Sequence, residues 1–198
     1  MAFLGMKHVV FAPIAGANQD GMPTYGKGFL VGRAMTANQT IESADSPLYA
    51  DDIVAERMAG FTSGTISVGV DDVALEVQRK WLGSTVKTME GVEVTVDSGA
   101  NMSPEGGFGY LRIGQKNNVR FVRAIFLLRT QFSLPSEEAQ TKGGGVEWQT
   151  PTIEGAIMTV EGTEDYRFTA QFETEADARA WLNKLANVEE TQTEPIEG

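Results

Sequence analysis

The chain has 198 residues, with 27 acidic against 16 basic side chains and a formal net charge of −11. It contains no cysteine and one histidine, His8, which excludes a disulfide framework, a thiolate centre and a multi-histidine metal site. A domain of this size buries roughly 70% of its unfolded surface and needs no covalent support, while the acidic balance and the absence of a basic run argue against tight nucleic-acid binding.

The first residues are mildly apolar but are broken by Gly5 and Pro13. That is too short for a membrane span, and a soluble protein with a first β-strand over residues 8–12 is expected. Residues 28–35 and 52–58 read as further strands. Ile66, Val68 and Val70 alternate with polar or small residues, as do Val92, Val94 and Val96; period two marks strands with one apolar face. Between these runs a helix is expected to start at Asp71–Asp72, to bury Ala74, Val77 and Trp81, and to stop at Gly83.

Residues 108–113 form another strand candidate. The nearly continuous apolar run 119–132 predicts a long central strand with both faces occupied. Residues 146–160 suggest a strand bent at Pro151. Tyr166, Phe168, Ala170 and Phe172 alternate again, and Thr174 with Asp177 has capping-box spacing ahead of an apolar face of Ala178, Trp181, Leu182 and Leu185. Residues 187–198 are acidic, lack apolar periodicity and are expected to form a flexible tail. The fold class that follows is mainly β: a sandwich or open barrel of two antiparallel sheets flanked by one or two α-helices, in one domain over residues 1–186.

Chemistry is hard to build from these residues. Asp97-Ser98-Gly99-Ala100 imitates the catalytic loop of retroviral-type aspartic proteases. A turn in which Asp97 and Ser98 bond local backbone and Gly99 takes positive φ explains it equally. The acidic doublets Asp51–Asp52, Asp71–Asp72 and Glu137–Glu138 do not converge, because neighbours on a strand point to opposite faces and neighbours on a helix lie about 100° apart. Catalytic, cofactor-binding and metal-ligating residues are therefore expected to be absent.

Four blocks in order give the chain a recognisable pattern: Gly5 to Pro13, Leu48-Tyr49-Ala50-Asp51-Asp52, Val68-Gly69-Val70-Asp71-Asp72 running on to Gln78 and Leu82-Gly83, and Phe132 to Gly155 with its Leu134-Pro135-Ser136-Glu137-Glu138 and Gln149-Thr150-Pro151-Thr152 runs. This pattern resembles the major tail proteins, the tail-tube subunits, of siphophages over residues 5–158. The resemblance implies a non-enzymatic virion protein, assembled in the host bacterial cytoplasm, that forms hexameric rings stacked into a tube. DNA passes through that tube without specific binding, and tape-measure and tail-terminator proteins are the implied partners, with no cofactor. It also implies that long loops, over 38–50 and 133–145, contact neighbouring subunits, which makes Leu48, Tyr49, Asp51, Asp52, Phe132, Leu134, Pro135, Glu137, Glu138, Gly143, Gly144 and Gly145 the candidate contact residues. The strand and capped helix at 161–186 stand as an elaboration. Alternative readings are another β-rich tail or baseplate component, or an aspartic protease acting through Asp97.

Overall fold

The computed structural model describes residues 2–50, 53–70, 73–99, 101–134 and 152–189, and for 2, 34, 45–50 and 53–59 only the backbone is considered. The described chain is mainly β, with two antiparallel sheets and two helices. The division between sheets is unequal: one has nine strands and the other two.

The strands of the large sheet are β1 (Ala2–Ala17), β2 (Pro23–Tyr25), β3 (Phe29–Gly32), β4 (Ala34–Ala50), β5 (Ile53–Val70), β8 (Gly106–Lys116), β9 (Val119–Phe132), β10 (Thr152–Met158) and β11 (Arg167–Phe172). The small sheet is the hairpin of β6 (Thr85–Met89) and β7 (Val92–Val96). The path of the large sheet runs β2-β1-β8-β9-β10-β5-β4. It closes into a barrel through one trick of chain routing. The strand β3 pairs with β1, and β4, one residue later, pairs with β5, so a single stretch of chain bridges the two ends of the path. Gly32, with φ 143°, lies at the changeover, a backbone region that only glycine enters cheaply.

The long apolar run at 119–132 forms β9 with the expected bounds and fills both faces. Ile125, Leu127 and Phe132 join Val9, Phe11, Ile66, Val68, Phe108 and Ile153 inside the barrel, while Val122, Ala124, Phe126 and Leu128 join Val10, Leu111 and the outer helix α2 (Glu175–Leu185). The end of the barrel where β8 begins is plugged by α1 (Leu75–Leu82), whose Trp81 lies 4.7 Å from Phe132 and stacks at 6.2 Å on Phe108.

Both helix caps have readable causes. Thr174 accepts from the Asp177 N–H and its hydroxyl donates to the Asp177 carboxylate, so the expected N-cap forms, with the shorter Asp returning to the Thr174 hydroxyl where the Glu of a full box would reach the backbone N–H. Ala178 and Leu182 are buried, with Trp181 and Leu185 packed beside them. Gly83 ends α1 in the left-handed region at φ 75°, as expected of a C-cap. At its other end the expectation is corrected. Helix α1 starts at Leu75, its N-cap Ala74 is exposed and offers no capping side chain, and Asp71–Asp72 lie outside the described residues.

Other departures follow from pairing. The 28–35 segment is two strands, because it changes partner at Arg33. The 52–58 and 65–70 segments are one strand, β5. Gly99 does not take positive φ. The start of the expected tail, residues 187–189, packs on the body: Asn187 donates to the Gly26 carbonyl, Val188 is buried, and Glu189 pairs with Lys27 at 3.0 Å. Residues 190–198, and 146–151 with Pro151, lie outside the described residues. No described helix is long and apolar enough to cross a membrane.

Candidate subunit interface

The largest correction concerns residues 38–50, expected as a loop. They belong to β4, which pairs with β5 from Ala34↔Val70 to Ala50↔Ile53. Only Gly64–Gly69 of β5 reach β10. Beyond that point residues 41–50 and 53–63 leave the barrel as a two-stranded arm of about ten residues per strand, or about 30 Å at strand rise.

The cause of the arm lies on the edge of β9. Its residues 129–132 pair with β10, whereas 122–127 pair with β11. Where β10 gives way to β11, β5 loses its neighbour and continues with β4 alone. The stacked pair Phe61–Tyr166, at 4.5 Å and 19°, fastens the base of the arm to the body, and the hydrogen bond from Ser63 to Glu42 ties its two strands together.

Such an arm has open edges. Strand β4 ends the sheet path, and along 53–63 β5 has no described partner except β4. Unpaired N–H and C=O rows of this length are templates for another chain unless they are blocked. Pro47 sits on β4, opposite Arg57, at the edge position where proline is tolerated. Register shifts at Glu42/Ser43 and Leu48/Tyr49 add local twist.

The predicted contact residues now separate. Leu48 and Tyr49 fall near the far end of the arm, opposite Glu56 and Val54, and Asp51 and Asp52 lie outside the described residues. Phe132 is corrected from surface to core. It is 1% exposed and packed against Trp81, Phe11 and Phe108, so it holds its own subunit together. Leu134, just beyond β9, is 46% exposed. Pro135, Glu137, Glu138, Gly143, Gly144 and Gly145 lie outside the described residues.

The chemically suggestive residues have structural partners. Asp97 accepts a short hydrogen bond from Ser84, and the Ser98 carbonyl accepts from the Asn101 N–H, so the protease-like tetrapeptide is tied into a local turn. His8, buried at a bulge of β1, meets Asn183 of α2 at 2.7 Å. Among the described residues no three His, Cys, Asp or Glu side chains gather where a metal could sit.

Sequence reading missed the concentration of positive charge. Between residues 106 and 134 there are five basic and no acidic side chains, and Arg112 lies directly across from Arg123 on the barrel-side face. The Arg112 guanidinium sits 3.8 Å from the centre of the Phe3 ring, a cation–π contact. The signal was present as an acid-free interval. It was overlooked because bases spaced three or four apart along a strand do not look like a run until the hairpin folds them together. No family model matches the chain, and no curated protein matches it.

Proposed function

We propose that the chain is a structural subunit that polymerises into the tube of a phage tail, with copies joined in rings and the rings stacked. The observation that carries this reading is the β4–β5 arm, which leaves the barrel with open backbone edges. An arm of about 30 Å whose two strands pair, among the described residues, only with each other is expensive to order unless another surface covers it, and edge pairing between copies supplies both hydrogen bonds and register. The four ordered motif blocks support the same reading, and one of them, Leu48 to Asp52, falls at the end of the arm. The acidic balance of the chain would leave passing DNA unheld, since phosphate binding draws on displaced counterions and needs basic contacts. Tape-measure and tail-terminator proteins would be the further partners of such a tube.

The test is negative-stain microscopy of the purified chain beside a variant in which residues 43–61 are replaced by a two-residue Asn-Gly turn. The wild type is expected to form long hollow tubes, and the variant to stay folded by circular dichroism but monomeric. A wild type that stays monomeric at high concentration, or a variant that still makes tubes, refutes the role given to the arm.

A further inference from the structure

Six of the exposed large apolar side chains among the described residues fall into two groups along the barrel. Leu4 and Val119, 59% and 68% exposed, lie where β1 begins and β8 turns into β9. Met89, Val92, Met102 and Leu134 are 61%, 62%, 80% and 46% exposed, and they lie at the end plugged by α1. The position of that end is fixed by Trp81 against Phe108 and by Ser103 and Gly106, which meet Gln131 and Thr130 at the close of β9. The two ends are separated by the run of β8 from Phe108 to Lys116, about 25 Å at strand rise.

The tips at these ends also match in charge. At the turn of the β8–β9 hairpin, exposed Lys116 and Arg120 flank Val119, with Glu173 the bordering carboxylate at the end of β11. At the turn of the β6–β7 hairpin, exposed Glu90 and Glu93 flank Met89 and Val92, and Lys87 is the one base in its strands. That hairpin turns its polar face to α1, where Arg79 donates to Thr95 and lies 3.7 Å from the Glu93 carboxylate. Residues alternate across a strand, so Met89, Val92, Val94 and Val96 share the opposite face, away from Arg79. Of that face Val94 and Val96 are half-buried, while Met89 and Val92 at the turn stand exposed, so the tip presents an uncovered apolar pair.

We propose that the β6–β7 tip of one copy docks on the β8–β9 tip of the next, apolar centre against apolar centre and the Glu90 carboxylate against Lys116 and Arg120. The two surfaces differ and sit at opposite ends, so the contact is heterologous and repeats head to tail. The inference deepens the assembly reading above and rests on it only in requiring that copies of this chain meet.

The experiment uses the full chain and follows polymer by sedimentation and microscopy. One variant carries Lys116→Glu with Arg120→Glu, a second carries Glu90→Lys, and a third carries all three. Each of the first two alone is expected to raise the concentration needed for assembly by about tenfold or more. Mixing them, or using the threefold variant, restores assembly, because opposite charges face each other again. Rescue separates lost contact from lost fold. A further variant, Met89→Thr with Val92→Thr, keeps strand propensity and weakens assembly without changing its salt dependence. Assembly unchanged in the first two variants overturns this contact and leaves the tube reading standing. Loss without rescue, or a wild type monomeric throughout, also overturns it. Charge-dependent chains without a lumen would uphold the contact and sink the tube.

Discussion

Replacing Trp81 by alanine tests whether α1 is an integral plug of the barrel. Trp81 is fully buried against Phe11, Phe108 and Phe132, with ring centroids 4.7–6.3 Å away. A buried tryptophan removes roughly 200 Å² from water, which at about 25 cal/mol per Å² corresponds to about 5 kcal/mol. Partial collapse of the cavity brings the expected loss to about 3–5 kcal/mol. For a chain of this length that lowers the melting temperature by about 6–20 °C. Trp81→Phe should behave differently. The indole Nε1 has no hydrogen-bond partner among the described residues, so phenylalanine removes an unsatisfied buried N–H, recovering about 1–3 kcal/mol. That offsets most of the roughly 2–3 kcal/mol lost with the smaller ring, leaving a net change within about 2 kcal/mol. Urea titration followed by far-ultraviolet circular dichroism, on chains held monomeric, measures both. An alanine cost below about 1 kcal/mol, or a phenylalanine cost equal to that of alanine, would refute the plug.

Two further outcomes follow from single contacts. Thr174→Ala removes the acceptor for the Asp177 N–H and should cost about 1 kcal/mol, while Thr174→Ser should keep most of it; equal urea midpoints for all three chains would contradict the cap. Burial raises the Tyr25 hydroxyl well above its ordinary value, and that hydroxyl donates to the Leu128 carbonyl at 2.8 Å. The unfolded chain therefore releases this proton first. The stability the group contributes is complete below about pH 10 and declines as pH rises above it. Melting temperatures from pH 8 to 11 should fall more steeply for wild type than for Tyr25→Phe, and parallel curves would count against the assignment.

The elements that the sequence announces are those with a core to bury. Strand β9 was readable to its ends because both faces carry apolar side chains, and α2 because a capping pair precedes a stripe of Ala178, Trp181, Leu182 and Leu185. The arm was not readable for the converse reason. Residues 41–50 and 53–63 carry no sustained alternation of apolar and polar side chains in the sequence, and Asp45, Ser46 and Pro47 imitate a loop. Phe132 was misplaced because it lies inside a motif block, and a motif says nothing about which way a side chain points. The division of the β9 edge between β10 and β11, which creates the arm, is a long-range pairing choice with no local mark.

The separation in sequence between β1 and its partner β8 has a consequence during synthesis. Residues 2–13 pair with 106–115, so the first strand must wait for about a hundred further residues, about 5–20 s at ordinary elongation rates. Strands β4 and β5 are joined by two residues and can zip within about 1–10 μs of emerging. The two longest strands can thus meet long before the barrel that carries them is complete. Each nascent chain passes through a stage in which this pair forms and frays with no folded body beside it.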